Sequence, residues 1–260
     1  MPALALEDIS AGYPGRPVLA GISATFAPGE VTVLLGRNGA GKSTVLRVAG
    51  AMLRPSAGRV RIGDVELGSL APRARARLVA SVGQEETLEF PFTVRQLAAI
   101  GRFSWRGTLG RPTSEDDAAV ERALAALDLV ALAERPVPEL SGGERRRAFL
   151  ARALAQEAAV LLLDEPTAHL DVGHEAALLG VVRAIARERG AAVVLALHDL
   201  NLVGLVADRV VILDGGRVRA AGPVGEVFDA EILSAAFGTP LEIVARPGGG
   251  APLAVPRGAR

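Results

Sequence analysis

The chain has 260 residues, 29 basic and 29 acidic side chains, no cysteine and a pI near 6.9. Neutral charge excludes the basic footprint of a nucleic-acid-binding domain, and the missing cysteines exclude disulfides and thiolate metal sites. Mean hydropathy is +0.32, but alanine, valine and leucine supply it in short pieces. No apolar stretch approaches the roughly 20 residues of a membrane span, and no signal peptide opens the chain, so a soluble protein is expected, built as one large domain or two intimate lobes with a sizeable core.

Residues 3–9 and 18–26 read as antiparallel strands joined by a turn at Gly15-Arg16-Pro17. Residues 31–35 form a short β-branched strand running into Gly36-Arg37-Asn38-Gly39-Ala40-Gly41-Lys42-Ser43-Thr44, with a helix predicted over 42–53. A turn at 54–58 precedes a strand at 59–62, an arginine-rich helix over 70–79 and a strand at 80–83 that stops at Gln84. Residues 93–155 are mostly helical, with breaks at 101–112 and 134–138. Strand signals return at 160–163, 192–197 and 210–213, separated by helical runs. Apolar strands without alternation belong to a sheet covered on both faces, hence an α/β fold. A helix at 230–237 and short strands follow, and the Pro/Gly-rich residues 246–260 read as a tail.

Lys42 is the only lysine among the 29 basic residues. It stands in Gly-x-x-x-x-Gly-Lys-Ser/Thr, the phosphate-binding P-loop, whose backbone N–H groups close round the phosphates of a nucleoside triphosphate. A compact ammonium fits between β- and γ-phosphates where a planar guanidinium does not. Strand, glycine loop and helix follow in the order the motif needs, and the helix dipole adds to the anion site. Further along, Val160-Leu161-Leu162-Leu163-Asp164-Glu165-Pro166 ends an apolar strand in two carboxylates. Asp164 is then placed to hold Mg²⁺, and Glu165 to polarise an attacking water. Leu140-Ser141-Gly142-Gly143-Glu144 reads as the N-cap of an arginine-rich helix, and also as a second anion site.

Together these three segments resemble the nucleotide-binding subunits of ABC transporters, over nearly the whole chain. The resemblance implies a P-loop NTPase core with an antiparallel β subdomain and an inserted α-helical subdomain, over about 86–157 of a cassette spanning 1–245. It implies ATP and Mg²⁺ as ligands, and a head-to-tail dimer with a second copy. Each ATP would then lie between one P-loop (Gly36 to Thr44) and the partner's signature residues Ser141, Gly142 and Gly143. Tyr13 matches the aromatic that stacks on adenine, Gln84 the glutamine that senses Mg²⁺ and the permease, Asp171 the D-loop carboxylate facing the partner, and His198 the γ-phosphate switch. The implied catalytic set is Glu165, His198, Gln84 and Lys42, with Ser43, Gln84 and Asp164 on the metal. His169 departs from the small residue expected in the D-loop, and its spacing from His174 does not suit a metal site.

Thr93-Val94-Arg95-Gln96-Leu97, Leu170-Asp171-Val172-Gly173-His174 and Phe237-Gly238-Thr239-Pro240 resemble the branch that imports iron–siderophore complexes, haem and cobalamin. That branch implies a membrane permease as direct partner, a substrate-binding protein as indirect one, and a place on the cytoplasmic face of the membrane. Trp105, the only tryptophan, lies where the family docks its permease, and reads either as an interface anchor or as packing of the helical lobe. A DNA-repair ABC ATPase would need a long coiled coil, a translation-type protein two cassettes, and an exporter half its own membrane spans. None is evident in this sequence.

Overall fold

The computed structural model describes residues 2–258 apart from 85, 87, 89, 107–109, 169 and 247–251. The chain opens with the hairpin β1 (Leu4–Tyr13) and β2 (Arg16–Phe26), and β3 (Val31–Leu35) then runs through the glycine loop into α1 (Lys42–Ala49). β4 (Ala57–Ile62) and β5 (Val65–Glu66) return to the hairpin, and α2 (Pro72–Leu78) leads into β6 (Val79–Val82). Three helices follow: α3 (Val94–Ile100), α4 (Ser114–Ala126) and α5 (Gly142–Ala155). The chain continues through β7 (Val160–Asp164), α6 (Val172–Arg189), β8 (Ala192–Ala196), α7 (Leu200–Val206), β9 (Arg209–Asp214) and β10 (Arg217–Pro223). It closes with α8 (Val224–Val227), α9 (Ala230–Phe237), β11 (Leu241–Val244) and β12 (Leu253–Pro256).

The central sheet has the order β10-β9-β3-β8-β7-β6, parallel from β9 to β6 with β10 antiparallel at the edge. Its inner strands β3, β7 and β8 are almost wholly apolar because each face meets a different core. In β3, Val31, Val33 and Leu35 face one core and Leu34 the other. In β7, Leu161 and Leu163 likewise oppose Val160 and Leu162. The first core is closed by α3, α5 and α6, and the second by α1 and the antiparallel sheet β2-β1-β4-β5. A strand buried on both faces shows no polar alternation, which is the pattern read from the sequence.

Two expectations are corrected. Helix α1 ends at Ala49, not residue 53: the Gly50 N–H donates to the Leu46 carbonyl, and Ala51, at φ 52°, donates its N–H to that of Val48. The tail expected from 246 onwards also contains a strand. β12 pairs antiparallel with β11, Ala254 is buried, and its N–H donates to Asn201 Oδ1 at 3.0 Å. Leu253, Ala254 and Val255 carry that pairing between flanking prolines.

In the helical segment both α3 and α4 pack on α5. A buried ion pair joins them, with Arg102 Nε 2.9 Å from Asp116 Oδ1 and side chains 5% and 4% exposed. Arg102 also donates to the Ala155 carbonyl at the end of α5. Burial pushes the Asp116 carboxyl up, but hydrogen bonds from Arg102 and Thr113 outweigh it and hold it at about 2.

Candidate active site

The chain leaves β3 through Gly36, Gly39 and Gly41, at φ 146°, 83° and 103°, a region that glycine enters without steric cost. Close packing also requires two of them. A Cβ on Gly36 would stand 2.4 Å from the Leu213 carbonyl oxygen, and one on Gly41 would stand 2.7 Å from Leu19 Cδ2. Lys42 opens α1 and curls back, its Nζ donating to the carbonyls of Gly36 at 2.8 Å and Arg37 at 3.3 Å. Burial holds the Lys42 ammonium below its ordinary range, while Glu165 and Asp164 pull the other way. The loop thus wraps its own cation at a helix N-terminus, a geometry suited to an anion.

Asp164 ends β7 and is buried; burial raises its carboxyl above the ordinary range, against the pull of the Ser43 hydroxyl. Its Oδ1 has no hydrogen-bond partner. A buried acceptor left unpartnered needs a reason, and a hard divalent cation bound by oxygen ligands supplies one. Ser43, Gln84 and Asp164 therefore fit Mg²⁺ as a donor set. Glu165 follows at φ 49°, a conformation non-glycine residues seldom hold without outside support. Its N–H donates to Ala196 at 3.1 Å, and its Oε2 accepts from Gln84 Nε2 at 3.2 Å.

Lys42, Ser43, Gln84 and Glu165 share one cleft of about 480 Å³, lined also by Tyr13, Arg16, Val18, Asn38, Gly39, Gly41, Thr44 and His198. Tyr13 reaches it from the end of β1, its hydroxyl accepting from Arg47 at 2.9 Å. His198 reaches it from just past β8. Asp164 lies in an adjoining cleft that shares Ser43 and Gln84 with the first. Arg16 and Val18, on β2, were not anticipated, since nothing in their local sequence marks them. Arg37 turns towards the end of α9, where a Cβ on Gly238 would stand 3.2 Å from its Nη1.

The signature residues do not line this cleft. Ser141 caps α5 in a reciprocal box, accepting from the Glu144 N–H at 3.3 Å and donating its own to Glu144 Oε2 at 2.8 Å. The Ser141 hydrogen bonds hold the Glu144 carboxyl low. Ser141 and Gly142 are exposed. Asp171 is also exposed and caps α6, accepting from the His174 N–H at 3.0 Å, with His174 Nδ1 2.6 Å from its Oδ2. The Asp-x-x-His spacing thus closes a helix cap. His169 lies outside the described residues.

Sequence reasoning missed Arg146. This side chain is buried, and it donates to four backbone carbonyls, Gly83, Gln84, Asp164 and Glu165. The signal was present: positions 146, 149, 150, 153 and 154 form the apolar stripe of α5, and the first of them is an arginine.

The sequence profile described as ABC transporter matches residues 19–168, more than half of the chain. The chain belongs to the ABC transporter family. As an ABC ATPase it binds and hydrolyses ATP. The hemin import ATP-binding protein HmuV of Rhodococcus jostii is 44% identical over 98% of this chain and 86% of its own length. The siderophore transport system ATP-binding protein YusV of Bacillus subtilis is 35% identical over 99% and 94%. Among solved ABC structures, a metal-chelate type transporter in an inward-facing conformation superposes with TM-score 0.84 at 27% identity, covering 98% of both chains. A dimeric bacterial ABC cassette superposes with TM-score 0.77 at 25% identity, covering 85% of this chain and 98% of its own.

Proposed function

We propose that this chain is the ATP-hydrolysing subunit of an importer for iron–siderophore complexes, haem or cobalamin, with its cassette spanning 1–245 and the helical subdomain about 86–157. It would work as a head-to-tail dimer at the cytoplasmic face of the membrane, bound to permease subunits and served indirectly by a substrate-binding protein. The observation that carries the mechanism is the single cleft shared by Lys42, Ser43, Gln84, Glu165 and His198. The cargo class rests on the names of relatives, which include the cobalamin import protein BtuD of Halobacterium salinarum, 41% identical over 93% of this chain and 60% of its own length.

In this reading Lys42 and the N–H groups of Gly39 to Thr44 bind the β- and γ-phosphates. Tyr13 stacks on the base. Mg²⁺ held by Ser43, Gln84 and Asp164 would neutralise charge on the phosphates. Glu165 accepts the proton of the attacking water, and His198 hydrogen-bonds the transferring group. Ser141, Gly142 and Gly143 of a second copy close over the nucleotide, with Asp171 at the join. Positioning and fixed charge supply most of the acceleration.

The test is reconstitution in liposomes with the permease subunits that co-purify with this chain. ATP turnover is measured with a binding protein loaded in turn with haem, cobalamin and a ferric siderophore. Stimulation by one of the three is expected. Stimulation by none, with active permease present, would reject the cargo class.

A further inference from the structure

The guanidinium of Arg146 is forked between two segments that are distant in the chain. Its Nη1 donates to the carbonyls of Gly83 at 2.6 Å and Gln84 at 3.0 Å, and its Nη2 to those of Asp164 and, at 2.9 Å, Glu165. Each nitrogen therefore serves one segment. The Nε is buried without a partner, so the forked end carries all the polar contacts. Arg146 is 9% exposed and faces the carboxylates of Glu86, Asp164 and Glu165. The same helix sends Arg152 to the Ser81 carbonyl and to Glu86, whose Oε1 also accepts the Gly83 N–H.

The consequence concerns Glu165. Its φ of 49° must be held by its surroundings, and Arg146 holds its carbonyl. The Gln84 side chain, which reaches Glu165 Oε2, hangs from a backbone fixed by the other arm of the fork. We propose that Arg146 is a positioning residue that sets Gln84 against Glu165 and so fixes the direction in which Glu165 meets the attacking water. The inference rests on the proposed roles of Gln84 and Glu165. A planar fork with fixed N–H directions can span two backbone segments, whereas a lysine ammonium is a point charge without that geometry.

The experiment measures kcat, KM for ATP and equilibrium nucleotide affinity for Arg146→Met, Arg146→Lys, Gln84→Ala, Glu165→Gln and Arg146→Met with Gln84→Ala. Loss of a positioning contact is expected to lower kcat roughly 10- to 100-fold, with nucleotide affinity within about twofold of the parent. In the Gln84→Ala background the Met change is expected to cost clearly less than in the parent, because the arm that fixes Gln84 then has no side chain to set and only the contact to the Glu165 carbonyl is lost. Arg146→Lys is expected to lose kcat as well, since it keeps the charge and lacks the fork. It also serves as the second variant if the methionine chain does not fold. Full activity in Arg146→Lys, or an Arg146→Met loss that is undiminished without Gln84, overturns the proposal while Glu165→Gln remains inactive. Normal turnover in both Glu165→Gln and Gln84→Ala would instead reject the underlying reading of the site.

Discussion

Gln84 donates from Nε2 to Glu165 Oε2 at 3.2 Å across 81 residues of sequence, joining the end of β6 to the turn after β7. The contact orients the carboxylate proposed as general base from the side on which the helical segment attaches. Movement of residues 83–84 would therefore be felt at Glu165. It is a second link between the helical segment and Glu165, beside the direct one from Arg146.

Glu165→Gln separates binding from turnover. The amide keeps the shape and cannot take a proton, so the rate is expected to fall roughly 10²-fold or more with ATP affinity retained. The ATP-bound form is then expected to elute as a stable dimer in size-exclusion chromatography. Unchanged turnover would remove Glu165 from the mechanism. Lys42→Ala, in contrast, is expected to abolish ATP binding in an equilibrium titration, because the Nζ that gathers the Gly36 and Arg37 carbonyls is gone.

Ser141 caps α5 and does not line the cleft, so the role proposed for it is on a second copy. Ser141→Arg is expected to stop hydrolysis and leave ATP binding by the monomer intact. Mixed with Lys42→Ala subunits, it should rebuild one composite site from the sound P-loop of one chain and the sound signature of the other. ATP-driven dimerisation no greater in the mixture than in either variant alone would count against head-to-tail assembly.

The Arg102–Asp116 pair yields a stability prediction. Asp116→Asn leaves the buried guanidinium with Glu157, 2.9 Å from its Nη1, as its remaining counter-charge and is expected to cost about 1–3 kcal/mol, read by urea unfolding. The sign with pH follows from the lowered carboxyl. Its stabilisation is complete above the ordinary value of 3.8 and is lost as pH falls through about 2. Acid titration of the parent between those values should therefore show a loss of stability that the Asn variant largely lacks. Parallel curves would assign the acid sensitivity elsewhere.

Trp105 is anchored to its own chain and keeps part of its ring exposed. It is 41% exposed, but its Nε1 donates to the Gln156 carbonyl at 2.7 Å, and the guanidinium groups of Arg77 and Arg102 lie 5.4 and 5.5 Å from its ring. Trp105→Ala is expected to cost about 1–3 kcal/mol through these contacts, and Trp105→Phe less, since it keeps the ring. Differential scanning calorimetry decides. An unchanged melting temperature, together with lost permease stimulation, would assign Trp105 to the interface alone.

The parts of the site whose chemistry is contiguous are legible in the chain alone. A β-branched strand, three glycines and Lys42 make the phosphate loop within one stretch of chain, and four apolar residues before Asp164 announce a strand end beside it. The α/β class was equally legible, because burial on both faces removes alternation from β3, β7 and β8. Tertiary structure alone decided that Gln84 would touch Glu165, that Arg16 and Val18 would wall the cleft, that residues 253–256 would pair with 241–244, and that Arg146 would brace two segments at once. The physical reason is the nature of the partners. Arg146 binds backbone carbonyls, which every residue carries, so its partners leave no mark in the sequence. A strand pairs through the same groups. Gln84 and Glu165 do meet through side chains, but 81 residues separate them and only the pairing of β6 with β7 brings them together. The sequence therefore displays the motifs that are contiguous along the chain, and the fold decides the rest.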